Sequence, residues 1–555
     1  MAKSEQKVRD LVAKIRNGEL MLPEMQRGYV WKSTDVRNLF DSLYRGYPSG
    51  VILAWETDEP VETRGFAVES TTAPTRPLLL LDGQQRLTSL AAVMNGEGVR
   101  VKDRKREISL LFNLEHPDEL PFTSTEESED TSGEESEVDR LAESTSRLAF
   151  VVKTNRLASQ PQWVEVSEIF KMGDSAILKA AGVIDLEDPR YEKYQQRLQK
   201  VRAIGDYVYR MDILERTMSY EEVTEIFVRV NSLGVTLRSS DLALAQITAR
   251  WRGSLQIFQE YQDSVVASGL SIDLSALLRT LVALITGQAK FSTVNSLTVE
   301  QLQAGWERTQ RAFDFAVNFL KSNLHIDTLS LLSSPYLLTT LAYWADHHDY
   351  NISSEDADAF RRWFLNANAK ARYAGSAETK LNQDLAVIRR GSGGDELLER
   401  LSNDVGRLYF TASELRGRNT SSGAFKTLFM ALRHDSAKDW ASDLVVAPTH
   451  KGKTSKIEYH HIFPKAYLEK VRPDLDRQQI NQIGNMAFIG SGTNKKISAS
   501  APSEYRTRFA EHHFDAQLID FSDGKDQPGN YEMFIDRRLE LIAKRINKYL
   551  GVEAS

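Results

Sequence analysis

The chain has 555 residues, 41% of them hydrophobic and 26% charged, with a formal charge of −7 and no cysteine. That length supports about three ordinary domains and that composition a globular fold. Disulfides and thiolate zinc sites are excluded, and no apolar run reaches the roughly 18 residues of a membrane helix, so no membrane partner and a cytoplasmic location are expected.

The charge is unevenly spread. Residues 123–139, TSTEESEDTSGEESEVD, hold eight acids and no lysine or arginine, and without them −7 becomes +1. Residues 401–555 hold 23 basic and 19 acidic residues, a surplus of +4 that permits contact with nucleic acid.

In chain order, Val8, Leu11, Val12 and Ile15 are spaced like one face of a short helix. LMLPEMQRGYVW is extended around Pro23. Ser33 or Thr34 then caps a helix carrying Val36, Leu39, Phe40 and Leu43, and PSGVILAWE is a short apolar strand. RPLLLLDGQQRLTSLAAVMNG predicts a strand running into Asp82-Gly83 and a helix ending near Asn95-Gly96. Strands are expected within 106–114 and 146–153. The acidic stretch between them lacks the apolar residues for a core and reads as a solvated insertion. From 188 the pattern is mainly helical, beginning with the long amphipathic stretch DPRYEKYQQRLQKVRAIGDYVYRMDIL. A helix, a glycine turn and a helix capped by Ser239, Ser240 or Asp241 follow. RGSGGDE at 390–396 is a candidate hinge.

The most informative string is IEYHHIFPKAY at 457–467. After His460-His461 come Ile462 and Pro464, then Asn485 between short apolar runs, then Asn494 before Lys495 and Lys496. Hydrolysis of a phosphodiester needs a base near neutrality, for which histidine is suited, and a cation to offset charge on the phosphate. The order H-H-I-x-P, Asn, Asn resembles the ββα-metal, or HNH, nuclease motif. The resemblance implies that His461 is the general base, that His460 and Asn494 hold a divalent ion, and that Asn485 braces the loop and orients the base. His460 departs from the Asp or Glu common in the family, which lowers the negative charge of the site and favours Mn²⁺ over Mg²⁺. Glu458 is a candidate helper. Lys495 and Lys496 are either phosphate contacts or ordinary solvated lysines.

A second string is DGQQR. A strand delivers Asp82 and Gly83 to a helix start, where unpaired N–H groups suit an anion. Arg86 there is either a phosphate ligand or an internal ion-pair partner, and Gln84 and Gln85 are candidates to read a base or sugar. LPEMQRGYVWK, DGQQRLTSL and IFVRVNSLGVTLRSSDL together resemble the N-terminal domain of GmrSD-type proteins, which is related to ParB and sulfiredoxin. The resemblance extends, through RWFLNANAKARYAGSAETKLNQDL, to most of the chain. It implies nucleotide binding and hydrolysis at Gln26, Arg27, Asp82, Gly83, Gln84, Gln85 and Arg86, with GTP, ATP or CTP as the ligand. Asn231 and Asp241 stand in the third string, where capping or loop bracing is the expectation. Tyr29 and Trp31 are either stacking platforms for a DNA base or core residues.

The expected fold is α+β and multidomain. Residues 1–245 form a ParB-like α/β sensor domain, 246–395 a helical region, and 396–555 a ββα-metal nuclease domain in a largely helical unit. The resemblance implies a modification-dependent, type IV DNA endonuclease of bacterial antiviral defence. It would act on double-stranded phage DNA with Mg²⁺ or Mn²⁺ and a nucleoside triphosphate, with a homodimer as an attractive assembly for cutting both strands. The alternatives are a nucleotide-dependent DNA-binding switch with a degenerate nuclease site, and an HNH nuclease toxin indifferent to modification.

Overall fold

The computed structural model describes residues 2–23, 29, 31–57, 63–64, 78–97, 109–120, 145–233, 239–267, 269–391, 393–442, 444–446 and 457–552. Gln26, Arg27 and the acidic stretch 123–139 lie outside the described residues. The chain divides into two compact units, Met1–Leu255 and Gln256–Ser555, so the expected helical region and nuclease domain fall largely within one unit.

The first unit is built on a six-stranded sheet. Its strands are β1 (Ala2–Lys7), β2 (Leu20–Pro23), β3 (Ile52–Trp55), β4 (Thr63–Arg64), β5 (Leu78–Asp82) and a strand at Val208–Leu214, in the order β1, Val208–Leu214, β3, β5, β2, β4. The two-residue period of β3 and β5 serves two cores. Ile52, Ala54 and Leu80 face a cluster filled by α1 (Val8–Arg16), α2 (Ser33–Tyr44) and α3 (Gln84–Asn95). Leu53, Trp55, Leu79 and Leu81 face the opposite way, onto Tyr220, Val223 and Phe227 of α4 (Tyr220–Leu233) and Ala245 and Ala249 of α5 (Ser239–Arg250). Strands buried on both faces read as continuous apolar runs, which is why LLLL suits the middle of this sheet. Beside it stands a three-stranded antiparallel sheet of β6 (Leu110–Asn113), β7 (Phe150–Val152) and β8 (Trp163–Glu165), with β6 in the centre.

The stretch from 188 departs from its sequence reading. Its helix ends at Arg202, a tight turn covers Ala203–Asp206, and Val208–Leu214 becomes β9, antiparallel to β1 and parallel to β3. Tyr209 and Met211 are buried while Val208 and Arg210 are exposed. That alternation is too short to stand out where it abuts a helical repeat.

The second unit is mainly helical. Its core includes Trp344 stacked on Phe360 at 4.1 Å between ring centroids, and Arg372 buried with Asp384 at 2.8 Å. Two helix crossings require glycine. A Cβ at Gly394 or Gly423 would collide with the backbone of the helix Ser354–Ala369, at Ala359–Phe360 and at the Asn368 carbonyl respectively. Gly394, inside the expected hinge, therefore acts in close packing. Among the described residues no helix is long and apolar enough to cross a membrane.

Candidate nuclease centre

In the second unit β10 (Ile457–His461) pairs antiparallel with β11 (Met486–Gly490), placing His460 opposite Ala487 and His461 opposite Met486. β11 runs directly into α6 (Ser491–Ile497), which carries Asn494. Two buried side chains hold this arrangement. Gln517 accepts the Phe488 N–H at 2.9 Å and donates to the Phe488 carbonyl at 2.8 Å, standing in for a third strand. Asp439 accepts the Gly490 N–H at 2.7 Å and the Thr493 hydroxyl at 2.8 Å, fixing the start of α6 against the strand end.

Glu458 and His460 share a face of β10 by the two-residue period. His460 Nδ1 lies 2.7 Å from Asn494 Oδ1, and Asn494 Nδ2 donates to Glu458 Oε2 at 2.8 Å. His460 is 4% exposed, with Trp440 and Tyr505 packed edge-on to its ring. Burial pushes its pKa down to about 4, so the imidazole is neutral at physiological pH. Its Nε2 is buried and has no hydrogen-bond partner among the described residues.

His461 is half-buried and its Nε2 lies 2.8 Å from Asn481 Oδ1. Asn485 is fully buried. Its Oδ1 accepts the Phe463 N–H at 2.8 Å, and its Nδ2 donates to the carbonyls of Phe463 at 3.1 Å and Ile480 at 3.0 Å. The Ile462 N–H also donates to the Asn485 carbonyl at 2.8 Å. Asn485 thus braces the loop after His461, while the amide in contact with the imidazole belongs to Asn481. Sequence reasoning missed Asn481, Asp439 and Gln517. Each reaches its partner across 20 or more residues, and no local pattern marks them. Lys495 and Lys496 are exposed on α6.

Among the described residues no group of three or more His, Cys, Asp or Glu is close enough to hold a metal ion. The mixed set of His460, Asn494 and Glu458 does fit one. It offers a neutral imidazole, an amide oxygen beside it and a carboxylate one bond away. With an ion held at Nδ1, the His460 imidazole would carry its proton on Nε2. This N/O set with a single carboxylate suits an ion that accepts nitrogen, such as Mn²⁺.

In the first unit Gly83, with φ +101°, turns β5 into α3. Arg86 donates to the Ser49 carbonyl, to the Val51 carbonyl at 2.8 Å and to Asp82 at 3.1 Å, and lies 5.7 Å over the Tyr209 ring. Of its two sequence readings, the structure displays the internal pairing. Asp82, Gln84 and Gln85 are half-exposed at the helix start, and Gln85 accepts the Trp31 N–H at 3.2 Å. Tyr29 is buried and bonded to Ser89 at 2.7 Å, and burial raises its pKa to about 12. Tyr29 is thus a core residue, and Trp31 packs half-buried against the same core. Asp241 lies in the first turn of α5, where a carboxylate favours the helix dipole. Asn231 lies within α4.

The family model described as the GmrSD restriction endonuclease N-terminal domain matches residues 8–248, and that described as the GmrSD restriction endonucleases C-terminal domain matches residues 405–545. The chain is also 23% identical over 552 residues to an uncharacterized protein of Methanocaldococcus jannaschii, covering 89% of this chain and 85% of that protein.

Proposed function

The chain belongs to the GmrSD restriction endonuclease family, and from that premise we propose that it is a divalent-metal-dependent endonuclease cutting modified phage DNA under the control of a bound nucleotide. The observation that supports the nuclease reading is the β10–β11–α6 arrangement, in which His460 meets Asn494 and Asn485 braces the chain that follows His461.

His461 accepts a proton from the attacking water, the task for which a half-exposed imidazole is suited. Asn485 keeps the chain after His461 in one conformation. His460, Asn494 and Glu458 hold the metal. When bound, the ion offsets negative charge on the phosphate and the leaving oxygen. Lys495 and Lys496, exposed on the same short helix, contact backbone phosphates and position the duplex without reading its sequence.

In the first unit the turn at Asp82-Gly83 and the start of α3 form the nucleotide site, with Gln84 and Gln85 facing the ligand. Arg86 shapes this site by holding the Ser49–Val51 loop against the helix start. GTP, ATP or CTP is the ligand, with hydrolysis as the reset. The test is cleavage of a glucosylated or hydroxymethylated phage DNA beside its unmodified counterpart, with each nucleotide and with none. Cutting confined to the modified DNA and changed by one nucleotide supports the whole reading. Equal cutting of both DNAs leaves the nuclease and removes the sensor.

A second reading, a nucleotide-dependent DNA-binding switch with a degenerate nuclease site, is favoured by one feature: a buried neutral imidazole at position 460 where the family commonly carries an acid. Binding of modified DNA by a wild-type chain that never cuts it in Mg²⁺ or Mn²⁺ would favour this reading.

A further inference from the structure

The His461 imidazole is neutral when it acts as a base, and a neutral imidazole carries one N–H and one lone pair. Which nitrogen keeps the proton decides which can accept another. His461 Nε2 lies 2.8 Å from an amide oxygen, Asn481 Oδ1, and an oxygen only accepts. We infer that Asn481 is a positioning residue for the nuclease reaction, holding the His461 proton on Nε2 so that Nδ1 receives the proton from water. This rests on the nuclease reading of His461 and adds to it a residue outside the H-H-I-x-P, Asn, Asn pattern.

The contact is built rather than incidental. Asn481 follows the short turn Arg477–Ile480, which Asp476 caps by accepting the Gln479 N–H at 2.7 Å. The Gln479 carbonyl accepts the Tyr531 hydroxyl at 2.8 Å, the Ile483 N–H donates to the Arg418 carbonyl at 2.7 Å, and the buried Arg538 donates to the Gly484 carbonyl at 2.9 Å. These bonds fix the chain on both sides of Asn481. Asn485 then ties that segment to the base. Its one amide holds the Ile480 carbonyl, adjacent to Asn481, and both backbone groups of Phe463, two residues after His461. Asn485 therefore sets the spacing, and Asn481 makes the contact that selects the tautomer. Asn481 is half-buried, and its backbone N–H bonds Arg477 independently of its side chain, so side-chain replacement spares the turn.

The experiment uses the full chain with ¹⁵N-labelled histidine, and His461→Gln to assign the signal. Wild type and Asn481→Asp, which keeps an acceptor, should show His461 as the Nε2–H tautomer. Asn481→Leu, of similar size and without an acceptor, should show a mixture. In cleavage assays Asn481→Leu should lower kcat about 10²-fold with an unchanged KM for DNA, and Asn481→Asp should stay within about tenfold of wild type. An Nδ1–H tautomer in wild type, or wild-type kcat in Asn481→Leu, overturns the inference. If wild type does not cut DNA, or His461→Ala cuts as well as wild type, the nuclease reading fails. The tautomer comparison then still decides whether Asn481 controls the imidazole.

Discussion

His460 stands at the position where the resembling motif commonly carries an acid, and its burial sets what the exchange does. A histidine whose folded pKa is about 4, against an ordinary 6.5, binds fewer protons folded than unfolded between those values. The stability it contributes is intact above pH 6.5 and is lost as pH falls toward 4, by roughly 3 kcal/mol in all. Urea unfolding of wild type and His460→Gln between pH 7.5 and 4 measures this, and the variant should show the shallower fall. Equal pH slopes would mean that the imidazole protonates freely in the folded chain. In the proposed centre the same residue would set metal preference. His460→Asp restores a hard anionic ligand and should raise the Mg²⁺-to-Mn²⁺ ratio of cleavage rates about tenfold, whereas an unchanged ratio would take His460 out of the ion's shell. At this scale spacing singled out His460, His461, Asn485 and Asn494, and the structure brings His460 to within 2.7 Å of Asn494. The sequence was silent on Asn481, because a contact across 20 residues leaves no local trace. It left Arg86 undecided, because a guanidinium suits a phosphate and a carbonyl pair equally well.

Strands and helices were legible in proportion to the length of their apolar repeat. β3 and β5, buried on both faces, announced themselves as runs, and α1 showed its four-residue apolar face. β9 did not, because its alternation covers few residues and follows a helix without a break in composition. β1, AKSEQK, has no apolar signal at all and exists because β9 offers it an edge. The helix crossings were also invisible, since a glycine required by a neighbouring backbone looks like any loop glycine. They yield a direct prediction. Gly423→Ala forces the helix Gly423–His434 away from the Asn368 carbonyl and should destabilise the second unit by about 1–3 kcal/mol. Thermal unfolding checks this, and an unchanged midpoint would mean that the crossing relaxes freely.

For the whole molecule, the formal charge of −7 argues against DNA while the +4 of residues 401–555 argues for it, and the local value governs binding. Each lysine on a phosphate releases counterions, so replacing Lys495 and Lys496 together by alanine should reduce the slope of log affinity against log salt by roughly 2. A slope equal to wild type would make both lysines solvated surface. The division into two units puts the Asp82-Gly83 turn in one and the His460–Asn494 pair in the other, so the proposed control of cutting by nucleotide would require the intact chain. The claim on which all of this stands is that His461 is the base of a DNA-cutting centre. Its most direct test is the cleavage rate of modified phage DNA in Mn²⁺ by wild type and by His461→Ala at equal protein concentration. Wild type should cut and the variant should lose at least about 10²-fold in rate, while undiminished cutting by His461→Ala would remove His461 from the role of base.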